Sequence, residues 1–207
     1  KSDSVAEVVL NRPSVINAYN VEMRDELFQV LEAIRDDPQI RVAVFRGAGD
    51  KGFCAGADLT EFGTTPSQTI SREVRWERDV WGLFLNIKKP LIAALHGHVI
   101  GSGLEIACLC DLRIASDDAI FRMPETSLGM IPAAGGTQTL PRIVGKSQAL
   151  NMLMSGQIVT ANDAIRIGLI DAVVPKYELL NQVRSWASDL ATQDPLAISL
   201  TKTAIYD

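Results

Sequence analysis

The sequence has little of what metal centres and disulfide frameworks require. Its 207 residues include three cysteines and two histidines. An odd, sparse cysteine count gives no disulfide framework, and no cysteine or histidine pair has the usual zinc-ligand spacing. Cys108 and Cys110 lie in an apolar run, where free cysteine behaves as a small hydrophobic residue. We therefore expect no metal site.

The sequence also lacks an excess of positive charge and any long hydrophobic stretch. Its 20 Lys and Arg against 25 Asp and Glu give a formal net charge of -5, whereas a broad nucleic-acid-binding surface needs clustered cations. No apolar run is long enough to span a bilayer, and no signal peptide is visible. We expect no nucleic-acid partner, no membrane, and a cytoplasmic location, or the mitochondrial matrix in a eukaryote.

Strand and helix patterns alternate along the chain in short units, which is typical of the α/β class. Residues 5–10, 42–45 and 91–95 read as strands, and the last two are apolar on both faces, as in strands covered on two sides. A helical pattern follows the predicted N-cap Asn20, and a second predicted helix covers residues 71–87.

The most informative segment is residues 98–105, in which Gly101-Ser102-Gly103 precede an apolar helical run. Glycines before a helix expose backbone N–H groups to a ligand, and the helix N-terminus favours negative charge. Glu105 falls in the first helical turn. It is either a surface partner of the helix dipole or a buried functional carboxylate, and its spacing alone does not decide between them.

Two further segments carry weaker signals. Glu125 is a single carboxylate in an apolar stretch before the turn Gly135-Gly136, and alone it reads as a solvated loop residue. Residues 54–58 place small side chains around Gly56, which lets a ligand approach the backbone closely.

Together the three segments resemble the crotonase (enoyl-CoA hydratase/isomerase) superfamily. Glu105 and Glu125 stand 20 positions apart, as in the hydratases of that family. The resemblance covers nearly the whole chain, and it also includes residues 10–13, 89–94, 110–115, 135–145 and 168–171.

The resemblance implies a ββα spiral core with a C-terminal helical region that drives assembly into a homotrimer or a dimer of trimers. We expect the core, which binds the CoA ester, to cover residues 1–192. Residues 193–207 would be the start of an incomplete helical trimerisation region. The substrate would be an acyl-CoA thioester, with no cofactor beyond the coenzyme A of the substrate.

The resemblance also implies the working residues. Glu105 would activate water and Glu125 would supply the proton at C2 of a 2-enoyl-CoA, while the backbone N–H groups of Ala55 and Ser102 would form the oxyanion hole. The remaining predicted contacts with substrate and CoA are Ala55, Gly56, Ala57, Asp58, Leu59, Arg12, Gly101 and Ala133, whose amide would help to hold the water.

Three other functions remain open. A Δ3,Δ2-enoyl-CoA isomerase would need the counterpart of Glu125 and often lacks that of Glu105, and another CoA-ester lyase of the same fold would keep the oxyanion hole but change the acid–base groups. A non-catalytic member would bind CoA esters or RNA. Ser102 suggests a hydrolase nucleophile, although its surroundings do not match the G-x-S-x-G elbow.

The sequence departs from the family pattern at two positions that bear on CoA binding. Family members often have a lysine where this chain has Ser14 and where it has Thr60. Because those lysines steady CoA phosphates, phosphate binding here would rely on Arg12, on another residue or on a neighbouring subunit.

Overall fold

Strands and helices alternate through the computed structural model, which describes residues 4–206. Residues 1–3 and 207, the outermost ends of the two predicted regions, lie outside the described residues. The strands are β1 Val5–Leu10, β2 Val42–Gly47, β3 Gly52–Cys54, β4 Leu91–Leu95, β5 His98–Ile100, β6 Leu112–Ser116, β7 Ile120–Arg122, β8 Val159–Thr160 and β9 Ala172–Val174. The helices are α1 Val21–Asp36, α2 Gln68–Glu77, α3 Val80–Asn86, α4 Ser102–Leu109, α5 Gly136–Ser155, α6 Ala161–Arg166, α7 Leu179–Thr192 and α8 Pro195–Tyr206.

The strands form two sheets that the chain visits in turn. The first has the order β1-β2-β4-β6-β9 and is parallel throughout; the second has the order β3-β5-β7-β8, with β8 antiparallel to β7. Three times, a strand of the first sheet is followed by a strand of the second and then by helix. Parallel neighbours need such crossovers. The predicted α/β class with a repeated ββα core is confirmed.

The first sheet is covered on both faces. In β2, Ala43 and Phe45 join the main core, whereas Val42 and Val44 pack in a second cluster with residues of α7 such as Val183. Successive side chains of a strand point to opposite faces. A strand with helix on one side and core on the other is therefore apolar at every position, which is the pattern seen in the sequence.

The segment predicted as one helix over residues 71–87 contains two. Helix α2 begins at Gln68, three residues before the predicted start, because Ser67 accepts a hydrogen bond from Ile70 N at 3.2 Å. Arg78 and Asp79 then interrupt the helical run, and Asp79 caps α3 by accepting from Gly82 N at 3.0 Å. The prediction of a single helix did not recognise Asp79 as this second N-cap.

Helix α8 is held by polar contacts with the core. Lys202 Nζ lies 2.7 Å from Asp111 Oδ2, and Tyr206 Oη donates to Asp111 Oδ1 at 3.0 Å. Asp111 also accepts from Leu91 N, at the start of β4, at 2.8 Å. The boundary after residue 192 stays a prediction. None of the helices in residues 4–206 is long and apolar enough to cross a membrane.

Helix α4 lies directly against strand β3 because residue 103 is glycine. A Cβ atom at Gly103 would lie 2.6 Å from the carbonyl oxygen of Cys54 and 2.7 Å from its Cβ. Both distances are too short for real contacts, so a larger residue would push the helix away from the strand.

We expect Gly103→Ala to lower the free energy of unfolding by about 1–3 kcal/mol through overpacking. Urea denaturation of the variant and wild type measures this difference. Ser102→Ala is the control on the same helix, because it shortens a side chain instead of adding one. An unchanged unfolding free energy for Gly103→Ala would contradict the tight seating of α4 on β3.

Candidate active site

A cavity of about 270 Å³ opens beside the N-terminus of α4. Its wall includes Ser102, the first residue of that helix, and the loop residues Ala57, Ala133 and Ala134. All four offer backbone and small side chains, so a ligand in the cavity approaches main-chain N–H and C=O groups closely. Three of the segments singled out in the sequence therefore meet at one place.

Glu105 is buried at this place, with 2% of its surface exposed. Its Oε1 accepts two hydrogen bonds at 2.8 Å, one from the amide of Ala134 and one from that of Gly136. The carboxylate lies in the first turn of α4 and also meets the start of α5. Of the two interpretations left open by the sequence, the structure excludes the surface position, because Glu105 is buried.

Glu125 approaches the same site from the 3₁₀ turn Glu125–Leu128 and is half-buried. A Cβ atom at Gly101 would lie 2.7 Å from Glu125 Oε1. Gly101 also has φ +51°, which favours glycine, so the predicted glycine loop is needed for space and for conformation. Glu125 Oε2 is buried with no hydrogen-bond partner within residues 4–206.

Burial raises the pKa of both carboxyl groups. For Glu105, the two amide donors oppose this rise, and the charge of Glu125 adds to it. Glu105 thus receives hydrogen bonds that stabilise an ionised oxygen, whereas Glu125 Oε2 receives none. Two carboxyl groups in such different hydrogen-bonding environments are suited to divide the acid and the base role of a proton-transfer reaction.

The structure does not support the predicted role of the Ala55 amide. Ala55 N donates to the carbonyl oxygen of Ile16 at 2.9 Å, so this N–H group is already used within the fold. Two residues on, the bridge between Tyr19 and Ala57 uses the Gly56 carbonyl and the Asp58 amide, and it leaves the Ala57 amide outside the pairing. Ala57 lines the cavity with Ser102, whose N–H is free of helical bonding because it begins α4.

Arg12, predicted to meet CoA phosphate, is engaged inside the protein. Its Nη1 lies 3.0 Å from Asp58 Oδ2 and donates to the Ala18 carbonyl at 2.6 Å. Hydrogen bonds from Thr60 and Arg12 lower the pKa of Asp58. The pair ties the two loops together, so a phosphate at Arg12 would compete with a carboxylate. Leu59 is 52% exposed at the rim.

The two histidines have backbone partners away from the cavity. His96 Nε2 lies 2.9 Å from the Gly49 carbonyl oxygen, and His98 Nδ1 lies 3.0 Å from that of Lys51. Within residues 4–206, no group of three or more His, Cys, Asp or Glu side chains could hold a metal ion.

Sequence reasoning missed most of the side chains on the cavity wall. Among the aromatic residues of α2 and α3, Trp81 lines the cavity, while Trp76 is 71% exposed and Phe84 is core. The missed residues are Tyr19, Arg24, Phe62, Arg75 and Arg78. They come from α1, α2 and the loops beside them, and only the tertiary fold brings these segments together.

Comparison with known proteins agrees with this geometry. The family profile described as Enoyl-CoA hydratase/isomerase matches residues 1–207. The chain belongs to this family. The family membership, the fold class and the assignment as an enoyl-CoA hydratase, a hydro-lyase, are thereby confirmed.

Relatives in the family are similar over almost the whole chain. The (E)-benzylidenesuccinyl-CoA hydratase of Thauera aromatica is 40% identical over 205 residues, which are 98% of this chain and 79% of that protein. The crotonyl-CoA hydratase of Syntrophomonas wolfei is 37% identical over 99% of this chain and 78% of that one. A crystal structure of enoyl-CoA hydratase from Bacillus anthracis superposes with a TM-score of 0.92 at 35% identity, covering 99% of this chain and 79% of the other.

We expect Glu105→Gln to have a higher free energy of unfolding than wild type at pH 8. The difference between the two proteins should become smaller as the pH falls to 5. Burial raises the pKa of Glu105 in the folded state above its unfolded value, so the stability contributed by its protonated form is lost as pH rises through the folded pKa. Glutamine keeps an acceptor for the amides of Ala134 and Gly136 but does not titrate.

The melting temperatures of Glu105→Gln and of wild type across this pH range measure the difference in stability. The control is Glu26→Gln, on the exposed face of α1, whose difference in melting temperature from wild type should not change over this pH range. A Glu105→Gln variant that is less stable than wild type at every pH would contradict a buried, destabilising charge.

Proposed function

We propose that Glu105 and Glu125 carry out the reversible addition of water across the 2,3-double bond of a 2-enoyl-CoA thioester. The observation that carries this proposal is that a buried and a half-buried carboxyl group lie beside one cavity in different hydrogen-bonding environments. The helix N-terminus beside them is suited to a developing oxyanion.

The thioester carbonyl oxygen would accept hydrogen bonds from the amides of Ala57 and Ser102. Such polarisation makes C3 electrophilic and stabilises the enolate formed on attack. Glu105, as the carboxylate, takes a proton from water while the water oxygen bonds to C3. Glu125, as the acid, delivers its proton to C2, which gives 3-hydroxyacyl-CoA. Glu105 then passes the proton that it gained to Glu125, which returns both groups to their starting protonation states.

Two carboxyl groups favour hydration over isomerisation alone. Moving a proton between C2 and C4 needs one acid–base group, whereas hydration needs one group for water and one for C2. The burial of Glu105 and its contacts with Ala134 and Gly136 would be a costly arrangement for a carboxylate without a chemical role. The predicted water contact through the Ala133 amide belongs to the same proposal, since Ala133 lines the cavity.

We also propose, on the family resemblance, that coenzyme A enters along the segment from Ala55 to Leu59 and that no further cofactor takes part. Assembly as a homotrimer or a dimer of trimers, and a cytoplasmic or mitochondrial matrix location, belong to the same set of proposals.

We expect Glu105→Gln and Glu125→Gln each to lower kcat for hydration of crotonyl-CoA by about 10²–10⁴-fold, because each removes one proton-transfer group. Loss of the enoyl-thioester absorbance measures the reaction, and Glu26→Gln is the surface control. Isomerisation of a 3-enoyl-CoA that needs Glu125 alone, with crotonyl-CoA untouched, would replace hydratase by isomerase.

We expect Ser102→Pro to lower kcat by about 10²–10³-fold, because it removes the N–H group proposed for the oxyanion hole. Proline is tolerated at the first position of a helix, so the fold should survive, as circular dichroism would check. Ser102→Ala, which keeps the N–H group, should stay within a few-fold of wild type. A dead Ser102→Ala enzyme would instead support a role for the hydroxyl as a nucleophile.

A further inference from the structure

Three arginines line the cavity beside the proposed reacting groups. Arg24 comes from α1, Arg75 from α2, and Arg78 follows directly after α2. A purely hydrocarbon acyl chain makes no favourable contact with cations on the wall of its pocket, because its binding removes water from those charged groups. The charge of Arg75 lowers the pKa of Glu105, but this effect does not account for the other two arginines on the same wall.

The existing ion pairs of these arginines do not neutralise all of their positive charge. Asp25 is shared between Arg24 Nη2 and Arg78 Nη1, each at 2.7 Å. Within residues 4–206, Arg75 makes no ion pair; its Nη2 donates to the Ala133 carbonyl. A guanidinium has five N–H donors, so all three side chains keep donors for a ligand.

The two acidic residues that line the cavity are already used by the fold. Asp58 pairs with Arg12, and Glu61 accepts from the backbone N of Val21, at the start of α1, at 2.8 Å. Neither carboxylate therefore neutralises the arginines directly. The side of the cavity formed by α1 and α2 remains cationic around Arg75.

Tyr19 adds a second observation. Its hydroxyl is buried without a hydrogen-bond partner among the described residues, and it lies within electrostatic reach of Arg24 and Arg75. Its ring packs against Trp81 with centroids 5.5 Å apart, so the two aromatic side chains form an apolar wall. An unused O–H donor beside two guanidinium groups is a set of donors that matches a carboxylate.

We propose that the acyl group of the preferred substrate carries a second carboxylate, which Arg75, Arg24 or Arg78 and the Tyr19 hydroxyl bind. The inference rests on the proposed hydratase function and names its substrate class: 2-enoyl-CoA esters of dicarboxylic acids. Tyr19 and Trp81 would flank the carbon chain between the two ends.

The position of Arg75 favours an acyl carboxylate over a CoA phosphate as the anion. Arg75 bonds to the carbonyl of Ala133, on the cavity wall, and its charge lowers the pKa of Glu105, so it lies on the side of the cavity near the proposed catalytic carboxylate. The phosphates of CoA are separated from the thioester by the long pantetheine arm. If Arg75 bound a CoA phosphate, replacing it would affect every CoA ester equally. If Arg75 bound an acyl carboxylate, replacing it would affect the charged esters more than the uncharged ones.

The test compares kcat/KM for matched pairs of 2-enoyl-CoA esters with five, six and eight acyl carbons, with and without a terminal carboxylate. Wild type should prefer the charged member of at least one pair by about tenfold or more, as for a charge-assisted hydrogen bond. The preference should shrink at high salt. Equal values within every pair would overturn the proposal.

Arg75→Gln, and at least one of Arg24→Gln and Arg78→Gln, should lower the ratio of kcat/KM for the charged substrate to kcat/KM for the uncharged one. Arg72→Gln is the matched control: it removes the same charge from the same helix, and Arg72 lies over the ring of Trp76 outside the cavity. Its ratio should equal that of wild type. If one variant fails to fold, the others still decide.

Three outcomes separate the proposals from each other. Loss of both members of a pair by the same factor in Arg75→Gln would overturn the acyl carboxylate and point to CoA phosphate. Hydration of the uncharged esters without any preference would leave the hydratase function intact and remove only the substrate class. No hydration of any ester would overturn the hydratase function itself.

Discussion

The pair of hydrogen bonds from Ala134 and Gly136 to the Glu105 carboxylate holds the site together. Glu105 belongs to α4, which is seated on the second sheet through Gly103, whereas its donors lie at the start of α5. A buried carboxylate without donors would destabilise the fold. The two amides therefore make the charge tolerable, and they fix the loop that carries Ala133 on the cavity wall.

The arrangement separates two roles that a single carboxyl group cannot fill at once. Glu105 has donors that favour its ionised form, while Glu125 Oε2 is enclosed without any within the described chain. Proximity makes the groups interdependent, because a charge on Glu125 raises the pKa of Glu105. Two coupled groups that share protons suit a reversible reaction, in which each must act as acid in one direction and base in the other.

How far the sequence predicts the structure depends on how local the cause is. The N-cap at Asn20, the glycine turn before Glu105 and the doubly apolar strands rest on local chemistry, and the structure agrees with them. Which backbone amide faces the cavity depends on distant pairing, so the choice of Ala55 failed once Ile16 proved to be its acceptor. The arginines were missed because nothing in the spacing of Arg24 and Arg75 indicates that they meet.

Asp111 gives the last helix an unusual dependence on the core. This carboxylate receives Lys202 and Tyr206 from α8 and the Leu91 amide from β4, and α8 has no buried residues of its own. Lys202 Nζ also donates to the Lys89 carbonyl oxygen, just before β4. These polar contacts join α8 to the first sheet at the start of β4, so loss of the Asp111 carboxylate would weaken the anchoring of both elements together.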